Sequence, residues 1–258
     1  MINYKVLLNV CFLILVMSCK EAPSLNTINI EGKNDNSFNF LPTSTTNAVY
    51  KHNTYAFSYS EAHEQSEWVA YLLTENDIKK TNFDRPFFEQ DPLVITKSAH
   101  WRNFKNTDYS KGHLCPAGDR RGSYNDYLET FYTSNVSPQD YDFNEGIWNR
   151  LEQKVRYWAT KYNGIYVVTG GVLTNNLDTI GYEYVAVPEY FYKVLLTTDK
   201  KRMIGFLVPH KDSDKPLYEF VVSVNEIEKR TGIDFFKELP DNIEEELESN
   251  SSYKGWSF

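Results

Sequence analysis

The chain has 258 residues, a formal net charge of −8 and 41% apolar residues, with 19 Tyr and 16 Phe. That length allows one large domain or two small ones, and the apolar share is enough for a sizeable core. The negative balance argues against a protein that holds nucleic acid through a generally basic surface, because neutralised phosphates supply non-specific affinity. The excess is partly local: Asp241, Glu244, Glu245, Glu246 and Glu248 sit together near the C-terminus, whereas Arg102, Lys105, Lys111, Arg120 and Arg121 reverse the balance mid-chain.

At the N-terminus, Lys5 precedes an apolar run from Val6 to Met17, broken only by Asn9. The run is too short for a membrane span and has the make-up of a signal-peptide core. It ends Leu15-Val16-Met17-Ser18-Cys19, and a small residue before Cys at that place resembles a bacterial lipobox. Residues 1–18 are then a signal peptide. Cys19 becomes the lipidated first residue of a protein anchored in the bacterial cell envelope, periplasmic or surface-exposed. Each buried methylene contributes roughly 0.8 kcal/mol to such an anchor. The alternative is an ordinary secretory signal in which Cys19 is incidental. Residues 19–47 read as the lipidated Cys and a flexible tether, rich in Asn, Ser and Thr, that cannot bury enough surface to offset its ordering entropy. Residues 48–258 then form a single domain, since no internal linker or fixed-period repeat is visible.

Two runs, Asn53 to Tyr59 and Glu67 to Thr74, are aromatic and β-branched and read as strands. The second is apolar on both faces, which predicts a central position. Residues 82–92 form a loop, and 111–122 read as irregular, with Gly112, Pro116 and Gly118 as breakers. A short helix over 123–132 would be capped by Ser123. The clearest helix runs from Phe143 to Tyr162, where Ile147, Trp148, Leu151, Val155, Trp158 and Ala159 recur at helical spacing before Gly164. Residues 165–169, 184–187, 190–197 and 203–208 read as strands, and 223–231 as a helix stopped by Gly232. The pattern is α+β, with a mixed or antiparallel central sheet and flanking helices.

Two segments carry chemistry. Residues 109–120 read Tyr-Ser-Lys-Gly-His-Leu-Cys-Pro-Ala-Gly-Asp-Arg, and residues 134–152 read Ser-Asn-Val-Ser-Pro-Gln-Asp-Tyr-Asp-Phe-Asn-Glu-Gly-Ile-Trp-Asn-Arg-Leu-Glu. Hydrolysis of a phosphodiester needs a base for water, positive charge against the phosphorus and stabilisation of the leaving oxygen. His113 offers an imidazole that titrates near neutral pH, and Gly112 before it gives the backbone freedom to present it. Asn144 stands at the expected helix start. Glu152 follows by eight residues, within roughly 80° around the helix, and Arg156 is one turn further. Read alone, Asn144 could only cap the helix and Glu152–Arg156 could be a solvated i,i+4 pair. With Cys11 in the signal and Cys19 acylated, Cys115 is a lone thiol. It is either a packed side chain or the nucleophile of a Cys–His pair with His113.

Ser110-Lys111-Gly112-His113, Ser134-Asn135-Val136-Ser137-Pro138-Gln139 and Phe143-Asn144-Glu145-Gly146-Ile147-Trp148-Asn149-Arg150-Leu151-Glu152 resemble, in order and spacing, the signature of the DNA/RNA non-specific endonucleases, the ββα-metal or His-Me finger nucleases. The resemblance implies a ββα-metal active-site motif and hydrolysis of DNA and RNA with Mg²⁺, for which Mn²⁺ can substitute. It implies His113 as general base, Asn144 as the direct protein ligand of the ion and Glu152 as the holder of metal-bound water. Asn135 would support the histidine as a catalytic residue. Lys111, Arg156 and Arg85 would bind phosphate. Two positions depart from the family pattern: Ser110 replaces an Asp, and Lys111 replaces an Arg, keeping charge but losing the planar fork. Two other readings compete with the endonuclease: a non-catalytic nucleic-acid-binding surface lipoprotein on the same fold, and a phosphodiesterase for a non-nucleic polymer.

Overall fold

The computed structural model describes residues 38–79 and 81–258, so the expected signal peptide, Cys19 and most of the expected tether lie outside the described residues. The strands are β1 (Val49–Lys51), β2 (Ala56–Ser60), β3 (Gln65–Leu73), β4 (Tyr109–His113), β5 (Val136–Asp140), β6 (Ile165–Gly171), β7 (Thr179–Ile180), β8 (Val185–Ala186), β9 (Tyr190–Thr197), β10 (Met203–Pro209) and β11 (Val221–Val222). Seven form one sheet in the order β1-β2-β3-β6-β9-β10-β11, and every pairing in it is antiparallel. The helices are α1 (Tyr124–Glu129), α2 (Tyr141–Phe143), α3 (Asn149–Lys161), α4 (Val224–Thr231) and α5 (Asp241–Glu248), with a π-helical turn, Asn144–Trp148, joining α2 to α3.

The sheet is apolar on both faces because its strands alternate two apolar sets. In β3, Val69, Tyr71 and Leu73 join Leu151, Val155 and Trp158 of α3 in one core. Trp68 and Ala70 point the other way, into a second core with Val224 and Ile227 of α4. This is why β3 sits inside the sheet, as its doubly apolar pattern predicts. The helix α4 also follows the sequence closely. Ser223 accepts the N–H of Glu226, and Gly232 ends it at φ 70°, a left-handed conformation glycine adopts without steric cost.

The expected tether is shorter than 19–47. Residues 38–47 pack on the domain: Phe40 stacks on Tyr166 at 4.8 Å, and the Trp68 indole donates to the Thr43 carbonyl at 2.9 Å. The buried Glu67 carboxylate accepts the backbone N–H of Thr45 at 3.0 Å and the hydroxyl of Ser58 at 2.6 Å. Thr45, from the expected spacer, and Ser58, from β2, satisfy the hydrogen bonding that a buried carboxylate requires. The compact unit therefore begins at Phe38. Among the described residues, no helix is long and apolar enough to cross a membrane.

Candidate active site

The expected irregular segment at 111–122 begins as a strand. β4 pairs antiparallel with β5, setting Ser110 opposite Gln139, Gly112 opposite Ser137 and His113 opposite Val136. Gly112 is in the strand because of space, not backbone freedom. A Cβ there would lie 2.1 Å from the buried Gln139 side chain, so the two strands approach closely only with glycine. The ribbon runs directly into α2, giving a β-β-α unit.

The corner between β5 and α2 is pinned from outside. The Asp140 carboxylate accepts the N–H of Phe143 at 3.0 Å, while its backbone N–H donates to Nε2 of His210 at 2.7 Å. His210 Nδ1 in turn donates to the Pro188 carbonyl at 2.8 Å, which fixes its tautomer. Asn144 therefore does not start the helix. It opens the π-helical turn, whose Gly146 leaves helical geometry at φ −91°, ψ −109°. The Asp212 carboxylate fills the gap and accepts the N–H of Ile147 at 2.9 Å. A Cβ on residue 146 would lie 2.0 Å from that oxygen, so glycine is required by close approach. The spacing of 80° between Asn144 and Glu152 assumes an unbroken α-helix and does not hold across this turn.

Ser110 decides which way Asn144 faces. Its hydroxyl donates to the Gln139 carbonyl at 2.8 Å and accepts from Nδ2 of Asn144 at 3.0 Å. A serine has one proton to give. With that proton committed to Gln139, Ser110 can only accept, so Asn144 turns its nitrogen inward and leaves Oδ1 as an outward oxygen donor.

His113 is half-buried, with its ring 5.3 Å from Phe88 and 5.0 Å from Phe131. Nε2 is buried and has no hydrogen-bond partner, so Nδ1 is the nitrogen left for the solvent side. Burial lowers the imidazole pKa to about 3, with the charge of Arg85 adding to it. Arg85 is exposed, and its guanidinium lies over the Phe131 ring at 5.3 Å. Lys111 extends over Phe88 at 5.4 Å, and burial and Arg85 lower its pKa. Arg85, Phe87, Phe88, Trp101 and Lys111 line one cavity of about 650 Å³, together with Glu89. The structure thus brings His113 and Lys111, on the same β-ribbon as Ser110 and its bond to Asn144, together with Arg85 from the loop before it.

The remaining expected site residues belong to a second, buried network. Asn135, expected as catalytic, is fully buried and clamps backbone: Nδ2 donates to the carbonyls of Cys115 and Thr130, each at 2.9 Å, and Oδ1 accepts the Cys115 N–H at 2.8 Å. It holds the chain just past His113 and does not reach the cavity, so it is a positioning residue. Arg156 pairs with the buried Asp119 through Nε at 2.5 Å and approaches Glu152 at 3.5 Å. Its open side faces a separate cavity of about 480 Å³ shared with Arg121 and Gly118, not the one lined by Lys111 and Arg85. Burial raises the Glu152 carboxyl to about 7, with Lys193 and Arg156 opposing and Asp119 adding to the shift. Lys193 is buried, donates to Thr169 at 3.2 Å and lies 4.4 Å from the Trp148 ring. Asp119 and Lys193 escape a sequence reading. The only hint is a lysine inside the apolar strand 190–197. Cys115 is packed in the core, where burial pushes its thiol up to about 12, which rejects the Cys–His nucleophile.

A family model for DNA/RNA non-specific endonucleases matches residues 33–242. The chain belongs to that family. It is 34% identical to the mitochondrial nuclease EXOG of Danio rerio over 77% of its own length and 63% of the relative's. It is 32% identical to nuclease C1 of Cunninghamella echinulata var. echinulata, over 72% of this chain and 81% of that one. The chain spans less than two thirds of the EXOG relatives from zebrafish, mouse and human. Among solved structures, the crystal structure of the EndoG/EndoGI complex, on the mechanism of EndoG inhibition, superposes with a TM-score of 0.69 at 31% identity, covering 74% of this chain and 86% of that one.

The environment of His113 makes a spectroscopic prediction. Its folded pKa is depressed below that of the unfolded chain, so the neutral ring is favoured by folding and stability is lost as pH falls from about 6.5 toward 3. In NMR titrations the His113 ring signals should stay flat between about pH 5 and 8, and Arg85→Ala should move the titration upward. A normal midpoint near 6.5 would refute the assignment.

Proposed function

We propose that the chain is a metal-dependent endonuclease that hydrolyses phosphodiester bonds of DNA and RNA, with His113 as general base and one Mg²⁺ held directly by Asn144. The single observation that carries this reading is the oriented amide: Ser110 takes the nitrogen of Asn144, so an oxygen is left to face the cation. A lone neutral oxygen suits Mg²⁺, which keeps most of its water and takes few protein ligands. Mn²⁺ accepts the same hard donor. When bound, the ion supplies positive charge beside the scissile phosphate and the leaving 3′ oxygen.

The chain's own residues do the rest. Nδ1 of His113 takes the proton from the attacking water, with burial keeping the ring in its neutral form beforehand. Lys111 and Arg85 offset the extra negative charge on the phosphate from the cavity wall. Glu152 would hold water of a bound ion, and would have to be ionised to do so. Burial opposes that charge, while Lys193 and Arg156 favour it. Contacts to phosphate and not to base edges account for the lack of sequence preference. Arg156 acts on phosphate only from its own cavity, and its ties to Asp119 and Glu152 make it first a scaffold for Glu152.

The test is plasmid and RNA degradation by the full chain, with and without EDTA. The parent should cleave both substrates and stop in EDTA. His113→Ala should lose at least about two orders of magnitude in kcat. Asn144→Ala should lose most activity, with little recovery in excess Mg²⁺. A protein that binds but never cleaves, or cleaves only a non-nucleic polymer, would sink the endonuclease reading and support one of its two competitors. EDTA-resistant cleavage would reject the metal.

We also propose that Cys19 is acylated and anchors the enzyme in a bacterial cell envelope, from the Ser18-Cys19 junction after the apolar run. Cys19→Ser should release the protein from the membrane fraction or leave it unprocessed. Unchanged fractionation and no lipid label would reject the anchor.

A further inference from the structure

Far along the chain from the β-β-α unit, four carboxylates converge where α4, the loop after it and α5 meet. One oxygen each from Glu228, Asp234 and Glu248 lies within 4.8 Å of the others. Two oxygens that touch one cation at about 2.4 Å can be no further apart than about 4.8 Å, so all three can share one ion. Glu248 is only 7% exposed, and its Oε1 is buried with no hydrogen-bond partner. Oε1 of the neighbouring Glu244 is likewise buried and unpartnered. A buried carboxylate oxygen left without donor or cation is costly.

The fold holds these groups in place. Glu228 Oε1 accepts the N–H of Phe235 at 3.0 Å. The Asp234 backbone donates to Oγ1 of Thr43 at 2.8 Å and accepts the Thr43 N–H at 2.9 Å. Among the described residues none of the four carboxylates forms an ion pair, and Lys237 is the one cation acting on the group, through Asp234. Burial raises the pKa of all four, and neighbouring carboxylates add to the shift at Glu228, Glu244 and Glu248.

We propose that Glu228, Asp234 and Glu248, with Glu244 beside them, form a structural calcium site that clamps α5 and the 38–47 arm to α4. The donors are all oxygen, which selects a hard cation over zinc or copper. Several carboxylates around one point suit Ca²⁺, with its six to eight oxygens, better than Mg²⁺, which keeps its water. Glu244 and Glu248 lie beyond residue 242, where the family match ends, whereas Glu228 and Asp234 lie within it. It is independent of the nuclease reading.

The experiment is calorimetric titration and thermal melting of the full chain with CaCl₂ and, separately, MgCl₂. The parent should bind Ca²⁺ at least tenfold more tightly than Mg²⁺ and melt about 5 °C higher in saturating Ca²⁺. Glu248→Gln should lose the calcium shift and, in EDTA, melt at or above the parent, because a buried repulsive charge is gone. Asp234→Asn, an exposed position, gives the same answer if Glu248→Gln does not fold. Asn144→Ala should keep the calcium shift in full. No heat and no shift with Ca²⁺ would overturn the site, as would an equal shift in both carboxylate variants. Equal affinity for Mg²⁺ would overturn the calcium assignment.

Discussion

One hydroxyl proton sets the geometry of the site. Ser110 donates it to the Gln139 carbonyl, so the only bond it can offer Asn144 is acceptance of an amide N–H. The oxygen of Asn144 is thereby committed to the outside. This depends on register, because Ser110 and Gln139 are directly opposed only in the observed pairing of β4 with β5. A slip of one residue would turn the shifted strand's side chains to the other face and end that opposition. Register depends in turn on Gly112, where nothing larger fits against Gln139. The same logic governs the far side of Asn144, where Asp212 occupies the space that Gly146 leaves and completes the turn. Single π-helical turns inside helices are frequent at functional sites, and this one opens on the asparagine proposed to hold the metal.

The second constraint is charge buried behind the site. Asp119, Arg156, Glu152 and Lys193 sit on α3, β9 and the loop after β4, inside or at the edge of the core. Removing one partner of such a pair costs about 3–5 kcal/mol, since the other is left buried and uncompensated. The arrangement therefore adds little net stability over apolar packing but strongly penalises any rearrangement. It links Glu152 through Arg156 to Asp119, and burial pushes the Glu152 carboxyl up while Lys193 and Arg156 oppose the shift.

The sheet was legible in the sequence where burial is periodic. The strands at 165–171, 190–197 and 203–209, and the helix at 224–231, follow apolar spacing and cap residues that physical chemistry reads directly. Reading failed where a residue's partner lies far along the chain. Gly112 looked like a breaker because Gln139 is invisible locally. Thr45 reads as part of a polar spacer because its partner, the buried Glu67 carboxylate, lies far along the chain. Asn144 was found, but as a helix start, since the gap at Gly146 is made by Asp212. Arg156 and Asn135 are legible as site residues, but not the partners that fix them. Their fixed partners, Asp119 and the Cys115 backbone, make them supports.

The central claim is that Ser110 orients the asparagine that receives the metal. The direct measurement is the Mg²⁺ dependence of plasmid cleavage by Ser110→Ala. Losing a group that orients a metal ligand weakens metal affinity about 10- to 100-fold. The account predicts a rise of that size in the Mg²⁺ needed for half-maximal rate, with the rate at saturation close to that of the parent. An unchanged Mg²⁺ requirement would contradict it.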